Sequence, residues 1–352
     1  MILKESHSKE WIEKIVKKHK TDKILTEKVI RALSLLEGLA KTDLNFCFKG
    51  GTACMLMFKS TKRMSIDIDI IVPDRTADIY DYLDQIYEDC GFEGYEPKIR
   101  KAPSKIEKEH YELHYTSALT DKDAYILLDV LKEDIVYQNT IITPIESIFL
   151  KQDGEVLSVL TPDFNNILAD KLTAFAPNTS GIPYYKRNDT MGMEIIKQLY
   201  DVGCLFDKAD DLSVVSDVFH KFAKIELFYK GDIHTTEDIL DDIYNTALTI
   251  CSRANVDDNC HFDILSMGMV QVRSFIFSEL YHLERSFTDA AKAIYLSASI
   301  RTGNKTLIKY DKNIDIKDLG VDIPMSTKLN KLKKNTPEAF FYIYQAYLLL
   351  KE

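Results

Sequence analysis

The sequence predicts an α+β protein, with a sheet-bearing domain over residues 1–160 and a helical domain over 161–352. Two patterns carry this prediction. Between positions 46 and 143, short alternating runs rich in Ile, Val, Tyr and Phe recur between turn residues, as half-buried strands do. Before position 40 and after 161, apolar residues recur three and four apart, the spacing of amphipathic helices. A third observation locates the chemistry: Gly50-Gly51-Thr52 follows one predicted strand, and Asp67-Ile68-Asp69 lies on the next.

Helices are expected over 8–19 and 22–40, the second capped by Thr21 or Asp22 and striped by Leu25, Val29, Leu33 and Leu36. Phe46-Cys47-Phe48-Lys49 reads as a strand. The two glycines then permit a tight turn with close backbone approach to a ligand, and 52–59 reads as a helix capped by Thr52. Ser65 to Val72 reads as a strand ended by Pro73. A helix over 77–90 follows on Ile79, Leu83, Ile86 and Cys90, with Gly91 as its stop. Further strands are expected near 95–101, 109–117, 124–131 and 136–143. Thr161 and Pro162 look like an N-cap and first helical residue, and they mark the domain boundary. Pro177, Gly181 and Pro183 break the pattern into a loop over 178–187. One helix is expected to carry Leu265, Met269, Val272, Ile276, Leu280 and Leu283. A last one, opened by Thr336 and Pro337, carries Phe340, Phe341, Tyr344, Tyr347 and Leu348. No repeat or low-complexity tract interrupts the chain.

Strand periodicity puts Asp67 and Asp69 on one face and Ile66, Ile68 and Ile70 on the other. Two carboxylates so placed repel unless a cation or proton intervenes. Hard oxygen donors of this kind suit magnesium, and a pair of such ions can clamp the attacking and leaving oxygens of an in-line displacement. The turn at Gly50-Gly51 opens a helix whose N-terminus suits phosphate. Together these point to nucleotide transfer; the competing reading is an edge strand with a polar face beside a glycine turn. Asp129 is the one carboxylate within the apolar run Ala124 to Val130, either a third ligand or a strand-end residue facing water. Lys171 by itself reads as a surface lysine.

In this order the motifs resemble those of the DNA polymerase β-type nucleotidyltransferase superfamily: Gly-Gly or Gly-Ser, a short helix, then Asp-x-Asp/Glu on a strand. More narrowly, Lys49-Gly50-Gly51-Thr52-Ala53-Cys54-Met55, then Arg63-Met64-Ser65-Ile66-Asp67-Ile68-Asp69, is similar to the AbiEii/AbiGii toxin family. The gap before Asp67 is slightly longer than that family's common pattern, and Ile66 stands where it often has an acidic residue. A second block, Ile167-Leu168-Ala169-Asp170-Lys171-Leu172 and Lys197-Gln198-Leu199-Tyr200-Asp201, resembles the family's lysine and later aspartate motifs. Lys197-Gln198 stands where the family usually shows Arg-Asp. The resemblance runs from about Thr21 to about Phe206.

It implies a nucleotidyltransferase mixed sheet with flanking helices, and transfer of a nucleoside monophosphate from an NTP to a hydroxyl acceptor with release of pyrophosphate. In that reading Asp67, Asp69 and Asp129 hold two magnesium ions. Gly50, Gly51, Thr52 and Arg63 hold the triphosphate, Lys171 offsets its charge, and Asp201 orients Lys171 or contacts the base. It also implies the toxin of an AbiE-like type IV toxin–antitoxin or phage-defence pair, with tRNA the acceptor in some relatives. The antitoxin would be a separate DNA-binding repressor making no obligate contact.

Composition narrows the classes further. At 352 residues and 45% hydrophobic, the chain can bury a full core. No apolar stretch approaches the ~20 residues that cross a bilayer, and the first residues lack a secretory core, so cytoplasmic residence is expected. The six cysteines form no C-x-x-C pair and read as reduced core thiols. His110 and His114 alternate with Tyr111, Leu113 and Tyr115, which predicts solvent-facing histidines. A net charge of −10 argues against a broad nucleic-acid-coating face. Residues 301–335 nevertheless carry nine basic residues against four acidic ones, either a solvated face or an RNA-facing ledge. Tyr184-Tyr185-Lys186-Arg187 would add stacking faces and charge to it. The rival functions are transfer to a protein side chain or small molecule, and a non-catalytic binding module.

Overall fold

Two capped helices come first. Ser8 accepts from the Trp11 N–H to start α1 (Lys9–His19), and Asp22 accepts from the Leu25 N–H to start α2 (Lys23–Leu39). The computed structural model describes residues 1–58, 62–98, 108–231 and 233–351, so Lys59 and the expected strand positions 99–101 lie outside the described residues. By packing the chain divides into two units: Met1–Asp163 with Ser274–Leu280, and Phe164–Arg273 with Tyr281–Glu352.

The first unit contains β1 (Cys47–Lys49), α3 (Gly50–Met57), β2 (Ile68–Ile71), α4 (Ile79–Ile86), β3 (Gly94–Pro97), β4 (Lys108–Thr116), β5 (Asp123–Leu131), β6 (Thr140–Pro144) and β7 (Ser158–Pro162). Seven strands form one sheet in the order β3-β4-β5-β2-β1-β7-β6. It is mixed: β2 runs parallel to β5 and β1 parallel to β7, while the other neighbours are antiparallel. The alternation expected for a sheet with one apolar face appears in β2, β4 and β5, where Ile68, Ile70, Tyr111, Leu113, Tyr115, Ile126, Leu128 and Val130 are buried. Helices α2 and α4 cover that face, with the Arg31 guanidinium over the Tyr115 ring and Tyr80 edge-on to Tyr111. Glu27 on α2 is buried but satisfied, accepting from the Ser117 hydroxyl and the Ala118 N–H.

Three sequence expectations are corrected by the fold. Thr161 and Pro162 do not open a helix: they end β7, where Thr161 Oγ1 lies 2.7 Å from Thr143 Oγ1 across the β6 pairing, and the helix begins at Phe164. The residue types of a cap and of a strand end coincide, and only the distant partner strand decides between them. The single helix expected from Leu265 to Leu283 is two. After the helix Phe262–Gln271, a 3-10 turn at Val272–Ser274 leads into an irregular strap, and Leu280 is 87% exposed. The strap is held by the first unit: Met64 N–H donates to Phe275 O, and the Ser278 hydroxyl donates to Lys62 O. Finally, Leu348 is exposed rather than part of the last helix's buried stripe.

The second unit is built from α5 (Phe164–Ala174), a small hairpin of β8 (Tyr185–Lys186) and β9 (Asp189–Thr190), α6 (Gly192–Lys208), α7 (Leu212–Tyr229), α8 (Thr236–Ser252), α9 (Phe262–Gln271), α10 (Leu283–Thr302), α11 (Ser326–Asn335) and α12 (Pro337–Lys351). Thr235 opens α8 through a capping box with Asp238. The long helix α10 is buried along most of its length and packs on α6, α8 and α12. Its inward Lys292 is neutralised by Asp207 at 2.6 Å and Glu338 at 3.4 Å.

The fold is therefore α+β. All six cysteines are buried, and none is joined in a disulfide. Burial pushes the Cys90 thiol up to about 11 and the Cys204 thiol up to about 12, which leaves both protonated and unsuited to nucleophilic work. Among the described residues no helix is long and apolar enough to cross a membrane.

Candidate active site

Four ionisable residues line up across four neighbouring strands of the first unit. Lys49 on β1 pairs with Asp69 on β2, Asp69 with Asp129 on β5, and Asp129 with His110 on β4. Residues paired in register point to the same face of a sheet, so the row lies on the face opposite Ile68, Ile70 and Leu128. Asp67, two residues before Asp69, lies just ahead of β2 and is exposed, whereas Asp69 and Asp129 are half-buried.

The glycine turn is packed onto this row. Gly50 adopts φ +78° at the start of α3, and a Cβ there would lie 2.1 Å from Asp69 Oδ2. Both the backbone conformation and the carboxylate therefore require glycine. A Cβ on Gly51 would meet Ser65 Oγ at 2.6 Å and the Arg63 guanidinium at 2.7 Å. Arg63 is buried at this turn, and its Nη1 donates to Met64 O. Thr52 is not the helix cap. Lys49 holds the N-cap position, while the buried Thr52 hydroxyl donates to Asp67 O at 2.6 Å and ties α3 to the approach to β2. Gly50→Ala is expected to cost at least about 1–2 kcal/mol from the left-handed conformation alone, and to displace Asp69. A thermal melt beside a transfer assay checks it, and a variant as stable and active as wild type would refute the packing argument.

His110 departs from the sequence expectation. It is buried, and its Nδ1 lies 2.5 Å from Asp129 Oδ1. A carboxylate oxygen can only accept, so the imidazole donates its Nδ1–H. His114 is half-buried and lies 3.2 Å from Asp123. The β4 alternation misled because the polar face of that strand abuts Asp129 rather than water. Among the described residues, Glu96, Glu112 and His114 also bring ligand atoms within 4.8 Å of one another. Lys98 pairs with Glu112, which accounts for part of that cluster as surface ion pairing.

Lys171 and Asp201 meet in the second unit. Lys171 Nζ on α5 lies 3.3 Å from Asp201 Oδ2 on α6 and donates to Gln198 Oε1 at 3.1 Å. Both charged residues are buried, at 7% and 3% exposure, so Lys171 is no surface lysine. Gln198 and Asp201 are one helical turn apart and face Lys171 together.

The basic segment is only partly available to a ligand. Arg301 is bound by Glu237 and Asp241, and Lys333 donates to Lys317 O and Leu319 O. Lys309 sits over the Phe206 ring and donates to Phe206 O; burial pushes it down to about 8. Lys328 and Lys331, with Arg253, line a cavity of about 340 Å³ floored by Phe287 and Leu332. Tyr184 is likewise no free stacking face: it is buried, edge-on to His261 at 4.7 Å, while Tyr185 is 53% exposed.

Two solved chains align over most of this one. The Helicobacter pylori protein JHP933 is 13% identical and covers 79% of this chain and 91% of its own, with a TM-score of 0.41. Another H. pylori structure, provisionally assigned as a nucleotidyltransferase, is 13% identical over 79% of this chain and 94% of its own, with a TM-score of 0.42. No curated protein matches the sequence. The family described as nucleotidyl transferase AbiEii toxin, type IV TA system, matches residues 34–257, a span containing both the carboxylate row and the Lys171–Asp201 pair. That match accounts for more than half of the chain, which belongs to the AbiEii nucleotidyl transferase toxin family.

Proposed function

We propose that the chain transfers a nucleoside monophosphate from an NTP to a hydroxyl of RNA, a tRNA in particular, and releases pyrophosphate. The observation that carries the reading is the in-register Asp69–Asp129 pair with the Gly50 backbone packed against it. Neighbouring strands lie about 4.8 Å apart, so two carboxylates in register at that spacing favour positive charge nearby, to which Lys49 on β1 contributes and a divalent cation would add. In this reading Asp67, Asp69 and Asp129 are the residues that would hold magnesium, whose preference for hard oxygen donors their carboxylates suit. When bound, magnesium supplies charge neutralisation at the reacting phosphate and its neighbouring oxygens.

The protein's own residues do the rest by position and charge. Gly50 and Gly51 let the backbone come close to the triphosphate, where first-turn N–H groups of α3 face it. Arg63 and Lys171 offset phosphate charge, and Asp201 with Gln198 holds the Lys171 ammonium in one place. Thr52 contributes by fixing the turn to Asp67. The second magnesium ion and the separate repressor as antitoxin are part of the same proposal.

RNA as acceptor is supported by Arg253, Lys328 and Lys331, which outnumber the one acid, Glu284, around one cavity in a chain whose net charge is −10. Neutralising Lys328 and Lys331 together is expected to reduce RNA labelling and to flatten its salt dependence, by roughly 0.7 in log–log slope for each phosphate that is no longer neutralised. NTP turnover without RNA should persist. The decisive assay offers each labelled NTP with magnesium to total RNA or to cell protein. Label on protein and never on RNA would move the acceptor to the rival class, and no label on anything would favour a binding module.

A further inference from the structure

We infer that His110 is the positioning residue of the third carboxylate: its Nδ1–H grips Asp129 Oδ1 and fixes the torsion of that side chain on the face it shares with Asp69. The inference rests on the reading of Asp129 as a metal ligand. It is carried by geometry that needs no movement, because His110 and Asp129 are direct cross-strand partners and the bond between them is 2.5 Å. Such short contacts to a carboxylate are the strong, charge-assisted kind.

Burial supports a built arrangement over a chance contact. On the same face of β4, Glu112 and His114 are half-exposed and engage surface partners, Lys98 and Asp123. His110 alone among these three is buried, at 6% exposure, and its bond is to a carboxylate of the row. An aspartate turns about two side-chain bonds, and a ligand oxygen displaced by an ångström no longer meets a cation held by its neighbours. Groups that orient a metal ligand in this way typically contribute 10–100-fold to metal affinity or activity. The pairing also explains why Asp129 can stand in an otherwise apolar strand beside a second carboxylate.

The test uses the full chain and reads Mn²⁺ affinity by electron paramagnetic resonance, alongside kcat and KM for the NTP. His110→Ala is expected to weaken Mn²⁺ binding about 10–100-fold and to lower kcat comparably, with KM for the NTP little changed. His110→Asn should recover most of both, because its amide N–H₂ can take the place of the imidazole Nδ1–H, while His110→Leu should not. Asp129→Asn is the reference. If that variant binds Mn²⁺ like wild type, the metal reading of Asp129 falls and the inference with it. If Asp129→Asn loses Mn²⁺ while His110→Ala keeps wild-type affinity and kcat, the positioning role is overturned and the metal reading stands. Should the alanine variant fail to fold, the asparagine variant decides: folded and as weak as Asp129→Asn, it refutes the hydrogen-bond account.

Discussion

Asp69→Asn is expected to lower nucleotide transfer on the order of 10³-fold or more while leaving the fold intact. Asparagine keeps the shape that Gly50 packs against, so the turn need not move, and it removes only the charge and one strong acceptor. Folding should tolerate this well, since Asp69 stands in register with Asp129 and the change relieves like-charge repulsion. Activity should not tolerate it, because the carboxylate adjoins both the glycine turn and the neighbouring Asp129. A melting curve and labelled-NTP transfer measured on one preparation separate the two effects. Wild-type transfer by this variant would end the assignment of the row as the reacting centre. Asp67→Asn, at the exposed position just before β2, should fall in the same direction, and growth arrest in the host should disappear with transfer in both.

The α+β class and the location of the glycine turn were legible because they depend on short-range signals. Period two puts Ile68 and Ile70 of β2 on the buried face, and a cap such as Asp22 marks its helix without help from elsewhere. The row itself was not legible. Whether Asp129 faces Asp69 depends on the parallel pairing of β2 with β5, whose strands lie some sixty residues apart in sequence, and a one-residue slip would have turned Asp129 to the other face. His110 shows the same limit in reverse. Its alternation with Tyr111 correctly predicted opposite faces, but the polar face was equated with water because the partner on β5 was unknown. Tyr184 and the strap after Gln271 were misread for a related reason: a tyrosine beside lysines, or an apolar run at helical spacing, takes its environment from what packs on it.

The Lys171–Asp201 pair calls for a test in which stability and chemistry are separated. Lys171→Ala takes the Lys171 ammonium from beside Asp201, which is 3% exposed, and breaking a buried pair by removing one partner costs up to about 3–5 kcal/mol. Loss of transfer in that variant would follow from unfolding alone. The paired change Lys171→Met with Asp201→Asn removes both charges, keeps volume, and leaves the amide able to serve the other neighbours of position 201. Such replacements are often close to neutral in stability. The pair variant is therefore expected to melt near wild type and yet to transfer at least about 10²-fold more slowly, the scale of losing one charge that stabilises a phosphoryl transition state. Lys171→Arg should recover only part of the rate, because a planar guanidinium places its donors differently from an ammonium. If the folded pair variant transfers at the wild-type rate, Lys171 and Asp201 are a structural ion pair, and the positive charge for the triphosphate has to come from Arg63 and Lys49 instead.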